Sequence, residues 1–255
     1  MATIIDPTRS WVSPTGNHYW YRKRREVGRL LQDRAQLPAG AKVVDLGGGT
    51  GEDIPLLASL YPGADILALD AAQEDLDKFN ARYADVEGVR SQFADITQRL
   101  PLEDDSVDLV YCSEVMEHIP DAPALFREVH RVVRPGGYFL MTTKNEPNVL
   151  QKSFWLKRRV STQHPGAGGA HENGEVEIHG HITLFKIKEW EQTLERCGFR
   201  LEAARRGALM YGARRWLDSE AMLAMYFAAE ALLDLVPVRY SRRISDQLIG
   251  LYRKT

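Results

Sequence analysis

The amino-acid sequence predicts an α/β protein: a seven-stranded, mostly parallel sheet with helices on both faces. Between residues 41 and 144, short apolar runs rich in β-favouring residues alternate with longer amphipathic segments, which is the pattern of consecutive strand and helix units. The first of these runs leads directly into a glycine-rich turn, Gly47-Gly48-Gly49-Thr50-Gly51. A strand, a glycine turn and a helix in that order are typical of sheets that bind a ligand at the carboxyl ends of parallel strands.

The individual elements follow from the spacing of apolar residues and from turn residues. The predicted strands cover residues 42–46, 65–69, 89–93, 107–112, 138–143, 199–204 and 247–252. The predicted helices cover residues 18–36, 51–61, 75–84, 122–133, 186–197 and 219–235. Pro135-Gly136-Gly137 is expected to form a turn that ends the fourth helix and precedes the fifth strand.

The composition excludes several classes of protein. With 44% hydrophobic and 27% charged residues, the 255-residue chain has the make-up of an ordinary globular protein. Its net charge of −2 gives no general attraction for nucleic acid, so we expect no nucleic-acid partner. No apolar run approaches the roughly 18 residues of a membrane span, and the first residues lack the features of a signal peptide. Cys112 and Cys197 lie far apart in sequence, which favours a reducing compartment; we expect a cytoplasmic protein.

The glycine turn is the clearest candidate for a ligand site. Glycines adopt positive φ and allow a ligand to approach the backbone, and the start of the following helix offers N–H groups to an anion such as a carboxylate. A dinucleotide-binding turn is the competing interpretation, but Glu52 stands where its third small residue belongs. Asp45 in the strand before the turn is unfavourable beside a pyrophosphate and favourable beside an ammonium group.

Two further acids follow the next two strands. Asp70 ends the second strand, where a carboxylate can accept hydrogen bonds from both hydroxyls of a ribose. Asp95 ends the third strand and is suitably placed for an adenine amino group, with Ile96 offering an apolar face to the ring. Each acid alone is equally well explained as a helix cap or a loop residue. Three acids at three consecutive strand ends favour a ligand site.

These motifs together resemble those of the class I methyltransferases that depend on S-adenosylmethionine (SAM). The matching segments are Val43 to Gly51, Asp70, Ala94-Asp95, Leu100 to Val110 and Arg131 to Gly137, with a weaker match over residues 184–199. The resemblance covers about residues 40–145 and implies a Rossmann-like fold. It implies that SAM is bound at the strand ends by Asp45, Gly47, Gly48, Gly49, Gly51, Asp70, Ala71, Asp95, Ile96 and Ser113.

A turn after the fourth strand supplies the candidate catalytic residues. Glu114, Glu117 and His118 have the spacing E-x-x-E-H, which resembles the metal-binding motif of ubiquinone-biosynthesis O-methyltransferases and of small-RNA 2′-O-methyltransferases. In those enzymes a divalent ion grips the acceptor hydroxyls, and oxygen-rich ligands suit Mg²⁺ or Mn²⁺. The resemblance suggests His181, or failing that His179, as a fourth ligand. Two alternatives remain open: His118 as a general base without metal, or a purely structural role.

The expected activity is methyl transfer to a hydroxyl of a small molecule, such as a sugar, a polyketide or a quinone-like metabolite. The alternatives are N- or C-methylation without a metal, RNA 2′-O-methylation, and a SAM-binding subunit without turnover. We expect one domain over residues 1–255, with the acceptor bound by elements outside the core, at about residues 1–37, 145–185 and 205–240. The helix over residues 18–36 either covers the ligand site or packs on the sheet.

Two surface features complete the sequence-based expectations. The basic run Arg22 to Arg25 is interpreted as a solvated helix face. A set of methionine and aromatic residues near the C-terminus indicates buried core or a subunit interface rather than acceptor contact, and hence a possible route to a homodimer. This set comprises Met210, Tyr211, Trp216, Met222, Met225, Tyr226 and Phe227.

Overall fold

A computed structural model describes residues 18–145, 186–209 and 220–255 of the chain. These residues form one seven-stranded sheet with the order β3-β2-β1-β4-β5-β7-β6, which confirms the predicted fold class. The strands are β1 (Lys42–Leu46), β2 (Asp65–Asp70), β3 (Val89–Phe93), β4 (Val107–Ser113), β5 (Val133–Lys144), β6 (Phe199–Arg206) and β7 (Gln247–Lys254). The prediction of a single domain extends beyond the described residues and stays a prediction.

The direction of the strands determines where a site can form. Strands β1 to β5 are parallel to their neighbours, whereas β7 runs antiparallel between β5 and β6. Strand β6 therefore runs in the same direction as β5, and strands β1 to β6 all end at one edge of the sheet. Strand β7 begins at that edge with Gln247. We call this edge, where β1 to β6 end, the carboxyl edge.

Seven helices are described. They are α1 (His18–Arg34), α2 (Ile54–Leu60), α3 (Gln73–Tyr83), α4 (Ala122–Val132), α5 (Ile187–Arg196), α6 (Glu220–Asp234) and α7 (Val238–Ser241). Short 3₁₀ turns cover Met116–His118 and Arg242–Ile244. Within the described residues, no helix combines the length and the hydrophobicity that crossing a bilayer requires.

The sheet separates two hydrophobic cores. Val43 on β1 packs in the core that also holds buried side chains of α1, α2 and α3, whereas Val44 and Leu46 pack in the core beneath α4 and α5. This alternation follows from the two-residue period of a strand. Each fully buried Val, Leu or Phe side chain stabilises the fold by about 1.5–3 kcal/mol. The site at the carboxyl edge therefore rests on a rigid, three-layered base.

One of the motifs behind the family resemblance has a structural role. The Arg131 guanidinium donates to the backbone oxygens of Leu100 and Leu102 at 3.2 and 2.9 Å, and it binds the carboxylates of Glu128 and Asp104. These contacts join α4 to the loop before β4. Arg131 thus stabilises the packing of α4, and we assign it no contact with a ligand.

Several element boundaries differ from the sequence-based expectation, and two of the differences have a clear local cause. Helix α2 begins at Ile54 instead of residue 51, because Gly51 has a φ of +80° that a right-handed helix does not accommodate. Pro135-Gly136-Gly137 lies inside β5 and not before it; the ladder with β4 shifts register between Val107 and Leu109. Gly136 has a φ of +73°, so the motif makes an irregularity within a strand.

Candidate functional site

The glycine turn after β1 is fastened to the neighbouring strand. The N–H groups of Gly47 and Gly48 donate to the backbone oxygen of Leu69 at 2.8 and 3.2 Å, and the Gly49 N–H donates to Oδ2 of Asp70 at 2.8 Å. We expected N–H groups at the start of α2 to bind an anion. The first three N–H groups of the turn bind β2 and orient Asp70, whereas anion binding at the start of α2 stays a prediction.

Gly47, Gly49 and Gly51 all have positive φ, but they differ in how much space lies beside the Cα atom. Gly47 and Gly51 have φ values of +75° and +80°, and an added Cβ would lie 2.5 Å from a side-chain carbon of Val115 or Tyr83 respectively. Any larger residue at these two positions would clash and strain the backbone. Gly49 also has positive φ, but no atom lies within 4 Å of its Cβ position. The turn is therefore closed at Gly47 and Gly51 and open to a ligand at Gly49.

Asp70 is held in a fixed orientation at the end of β2. Its Oδ1 accepts from the Ala72 N–H and its Oδ2 from the Gly49 N–H, each at 2.8 Å. A carboxylate oxygen accepts more than one hydrogen bond, so each oxygen keeps capacity for a ligand hydroxyl. Ala71, beside it, is exposed and small. This geometry fits the predicted contact with a ribose.

Asp95 and Ile96 lie beyond the end of β3. Asp95 is exposed and accepts from the hydroxyl and the N–H of Thr97 at 2.7 and 2.9 Å; the hydroxyl contact and then the N–H contact lower the pKa of Asp95. It therefore caps a turn, as the alternative interpretation held, and it is also accessible to a ligand. Ile96 is only 8% exposed and packs in the core beneath α4, which leaves little of its side chain for a ring contact.

Asp45 is buried under the glycine turn. It is 4% exposed, and burial, followed by the charge of Asp53, raises its pKa to about 8. Near neutral pH this carboxyl therefore holds a proton in the ligand-free chain. An ammonium group placed beside it would favour the ionised form, because opposite charges stabilise each other.

A buried network next to Asp45 was not predicted from the sequence. Asp53 accepts from Lys23 Nζ at 2.8 Å, from Arg24 Nε at 2.6 Å and from the Tyr111 hydroxyl at 2.7 Å. Lys23 Nζ also donates to Oγ of Ser113 at 2.6 Å. Burial alone would raise the pKa of Asp53, but the charges of Lys23 and Arg24 hold it well below its usual range. The network joins α1 to the start of α2 and to the end of β4.

The interpretation of residues 22–25 as a solvated face is wrong for two of its members. Arg22 and Lys23 are 3% and 2% exposed. Arg22 pairs with Asp234 of α6, and Lys23 pairs with Asp53. Helix α1 packs Val27, Leu30 and Leu31 on the sheet and also reaches the carboxyl edge through Tyr19 and Lys23, so it combines the two expected positions.

Glu114 is the centre of a second buried network. Its carboxylate accepts from the Tyr19 hydroxyl and the Thr142 hydroxyl at 2.9 Å each and from Gln247 Nε2 at 2.7 Å, and Lys144 Nζ lies 3.5 Å away. Glu114 has a φ of +58°, a conformation that non-glycine residues adopt at an energetic cost and that is concentrated at functional sites. The network closes α1, through Tyr19, over the ends of β4 and β5.

Glu117 and His118 occupy the 3₁₀ turn that follows. Glu117 is 1% exposed and accepts from the Thr143 hydroxyl at 2.8 Å. Burial, followed by the charge of Glu114, raises its pKa to about 8. His118 is half-buried. The turn thus places one ionised carboxylate, one carboxyl that holds its proton and one imidazole near the end of β4.

The predicted metal ligands do not fit a metal ion in this arrangement. Across residues 18–145, 186–209 and 220–255, no three His, Cys, Asp or Glu side chains lie close enough to bind one ion. Glu114, Glu117 and His118 therefore form no three-ligand cluster among the described residues, and metal binding by this turn stays a prediction. The Glu114 oxygens already accept three hydrogen bonds, and Glu117 is buried. His179 and His181 lie outside the described residues, so their role stays a prediction.

Comparison with known proteins shows the family of the chain. A family model described as a methyltransferase domain matches residues 19–204. A malonyl-[acyl-carrier protein] O-methyltransferase of Methylococcus capsulatus is 30% identical over 175 residues, which are 68% of this chain and 63% of that protein. A ubiquinone biosynthesis O-methyltransferase of Pseudomonas aeruginosa is 33% identical over 141 residues, covering 50% of this chain and 59% of that protein.

Solved structures show the same fold. A Haloferax volcanii methyltransferase in complex with the Trm112 methyltransferase activator aligns with a TM-score of 0.62 and 21% identity, covering 93% of this chain and 90% of that one. The chain spans between about a third and just under two thirds of the length of the first curated relatives it matches. By its family match, its fold and the motifs at its carboxyl edge, the chain belongs to the class I SAM-dependent methyltransferases.

Proposed function

We propose that the chain transfers a methyl group from SAM to a hydroxyl of a small molecule. One observation carries the proposal: Asp45, Asp70 and Asp95 lie at the ends of three adjacent parallel strands, beside a glycine turn that is open at Gly49. A ligand with an ammonium group, a ribose and an adenine matches these three acids in order. The family to which the chain belongs uses such a ligand as its methyl donor.

The residues present fit SAM in a specific way. Asp70 would hold the ribose hydroxyls, because its two oxygens are already oriented by the N–H groups of Gly49 and Ala72. Asp45 would face the ammonium group, which compensates its burial. Lys23, next to Ser113, would supply the positive charge for the methionine carboxylate. These assignments make α1 part of the cofactor site.

The reaction we propose is an in-line displacement. When bound, SAM supplies a methyl carbon attached to a positively charged sulfur. The acceptor oxygen forms a bond to that carbon as the sulfur–carbon bond breaks, and the oxygen loses its proton to a base. We assign the base to His118, which is half-buried on the turn after β4. Most of the rate then comes from alignment and from exclusion of water by α1.

We propose that this step needs no metal ion. The chemistry of the donor set supports this, because the Glu114 carboxylate is already bound by Tyr19, Thr142 and Gln247. Three of the roughly four acceptor positions of this carboxylate are therefore engaged by hydrogen-bond donors within the protein. The Glu117 carboxyl, with its pKa raised to about 8, is a weak ligand for a divalent ion at neutral pH because metal ligands must be deprotonated.

The names of two relatives support oxygen as the acceptor atom. Both the malonyl-[acyl-carrier protein] and the ubiquinone-biosynthesis enzymes are named O-methyltransferases. The segments expected to bind the acceptor lie outside the shared motifs. We therefore propose a hydroxyl oxygen of a small molecule as the acceptor and name no compound.

A transfer assay tests the proposal. The purified chain is incubated with SAM carrying a labelled methyl group and with separate pools of sugars, polyketides, quinols, amines and RNA. We expect label in a product whose mass increases by one methyl group, attached at oxygen, and slower labelling with Asp70→Asn at a SAM concentration below the dissociation constant of the parent. SAM binding without transfer to any pool would favour the non-catalytic alternative. Methylated nitrogen or carbon, or methylated RNA, would replace the proposed acceptor class.

A further inference from the structure

Helix α6 has its polar side chains turned inward. Glu230 is 2% exposed, and it accepts from the Leu209 N–H at 2.8 Å and from the Tyr226 hydroxyl at 2.6 Å, besides pairing with Arg206. One turn later, Asp234 pairs with Arg206 at 2.6 Å and with Arg22. The two acidic residues in the second half of α6 are therefore used to attach the helix to β6 and α1.

The opposite face of α6 is apolar and exposed. Met222, Met225 and Leu232 are 44%, 72% and 66% exposed, and Ala229 between them is also exposed. Their numbers differ by three, four and three, so these residues share one face of the helix. We call this set, Met222, Met225, Ala229 and Leu232, the outer stripe. Leu235, just after the helix, extends it and is 82% exposed.

The helix cannot hide this stripe by rotating about its axis. Rotation would withdraw Glu230 and Asp234 from Arg22 and Arg206, whose side chains are 4% and 3% exposed. Removing the partner of a buried charge costs about 3–5 kcal/mol. Among the described residues, the ion pairs thus keep Met225, Ala229 and Leu232 of the outer stripe facing away from the sheet and exposed. Of the two expectations for Met222 and Met225, buried core or a subunit interface, their exposure argues against the core and leaves the interface as a prediction.

We propose that the outer stripe is covered by the same stripe of a second copy of this chain. Alternating spacings of three and four residues are the seam of paired helices, which bury one another's apolar residues. Among the described helices, α6 carries all the exposed large apolar side chains except Tyr240 of α7. A helix with a matching seam is therefore available on an identical chain, and a two-fold axis would bring two such seams together.

The lack of charge in the outer stripe and its exposed apolar area are consistent with its burial against a second copy of the chain. The outer stripe contains no charged residue, so two copies do not repel each other there, and Ala229 allows the helix backbones to approach closely. A stable interface needs about 1,000 Å² of total buried surface. The outer stripe and Leu235 present apolar side chains that are 44% to 82% exposed, Ala229 aside. We infer that burying them in two copies removes an area of that order from solvent.

The oligomeric state of the full chain tests this inference. Sedimentation velocity across micromolar concentrations is compared for the parent, for Met225→Glu/Leu232→Glu in the outer stripe, and for Ala224→Glu/Ala231→Glu. Ala224 and Ala231 serve as the control because they are exposed positions of the same helix outside the outer stripe. We expect a dimer for the parent and for the Ala224 and Ala231 control. We expect the dissociation constant of the stripe variant to rise at least about tenfold.

A crosslinking experiment keeps the inference testable if the charged variants misfold. In a Cys197→Ala background, with Cys112 buried, Met225→Cys is treated with a bifunctional maleimide and compared with Ala231→Cys. We expect covalent dimers for Met225→Cys only. A parent that is monomeric at every concentration, or equal crosslinking at both positions, overturns the proposal. A monomeric parent that sediments with phosphatidylglycerol vesicles, and loses this with Met225→Glu/Leu232→Glu, assigns the stripe to a lipid surface instead.

Discussion

Lys23 Nζ lies 2.8 Å from Oδ2 of Asp53, and this buried ion pair joins the covering helix α1 to the segment that follows the glycine turn. Both residues are at least nine-tenths buried. The same ammonium group donates to Ser113 at the end of β4. The wall of the proposed cofactor site is therefore assembled from three segments that are distant in sequence, and Lys23 connects them.

Replacing Lys23 by Met is expected to destabilise the chain. Asp53 would keep Arg24 and Tyr111 but lose its most buried positive partner. We expect the free energy of unfolding to fall by about 3 kcal/mol, at the lower end of the cost of breaking a buried pair. Urea unfolding at pH 7 measures this. Lys78→Met, which removes an exposed pair with Glu74, is the control and should change stability little. Equal losses in the two variants would refute the role of Lys23.

Asp70→Asn is expected to weaken SAM binding. The amide would present an N–H₂ group towards one of the two N–H donors that now orient the carboxylate, and it would accept fewer hydrogen bonds from a ribose. The loss of charged hydrogen bonds corresponds to a dissociation constant about 10 to 100 times larger. Titration calorimetry measures it, and Asp75→Asn on the exposed first turn of α3 is the control. An unchanged affinity in Asp70→Asn would place the ribose elsewhere.

The raised pKa of Asp45 predicts that SAM binding depends on pH. Because its pKa is raised to about 8 in the ligand-free chain, the carboxyl is protonated below that pH, and an ammonium group binds better to its ionised form. The SAM dissociation constant should fall as pH rises from about 6 to 7.5, by at most about tenfold per pH unit. Asp45→Asn should remove this slope. For 5′-methylthioadenosine, which lacks the amino-acid part, we expect no slope in either protein; a slope there would point to another group.

The raised pKa of Glu117 predicts how the free energy of unfolding depends on pH. Its pKa is about 8 in the folded chain against 4.5 when unperturbed, so between these values the folded state holds a proton that the unfolded state has lost. The contribution of Glu117 to stability is therefore present at low pH and is lost as pH rises through that window, by at most about 1.4 kcal/mol per pH unit.

Glu117→Gln should lack this loss, because an amide does not ionise. We expect the variant to gain stability relative to the parent between pH 5 and pH 8, measured as the difference in unfolding free energy at each pH. The exposed Glu87→Gln should show no such gain. A constant difference between Glu117→Gln and the parent at both pH values would contradict the raised pKa.

Methyl transfer is expected to survive removal of divalent ions. Because Glu114 already accepts three hydrogen bonds and Glu117 holds a proton, we expect the same turnover after chelation with EDTA and after re-addition of Mg²⁺ or Mn²⁺. Activity that disappears with EDTA and returns with either ion would restore the metal interpretation. In that case His181→Ala should weaken the response to the ion, whereas His164→Ala should leave it unchanged.

The sequence alone determined the fold class and the outline of the cofactor site. Strand and helix periods are local properties, and the carboxyl ends of parallel strands meet at one edge of the sheet. Asp45, Asp70 and Asp95 therefore had to lie together once β1, β2 and β3 were recognised. The same rule applied to the end of β5 and the start of β7 would also have found Thr142, Lys144 and Gln247.

Only the tertiary structure decided which charges are buried and which apolar residues are exposed. Arg22 and Lys23 look like a solvated face in sequence, and their partners Asp234 and Asp53 are 212 and 30 residues away. The same long-range pairing turns the acidic face of α6 inward and its methionines outward. Burial depends on contacts between distant segments, whereas a helical pattern shows only which residues share a face; the pattern of α6 could not say which face meets the protein.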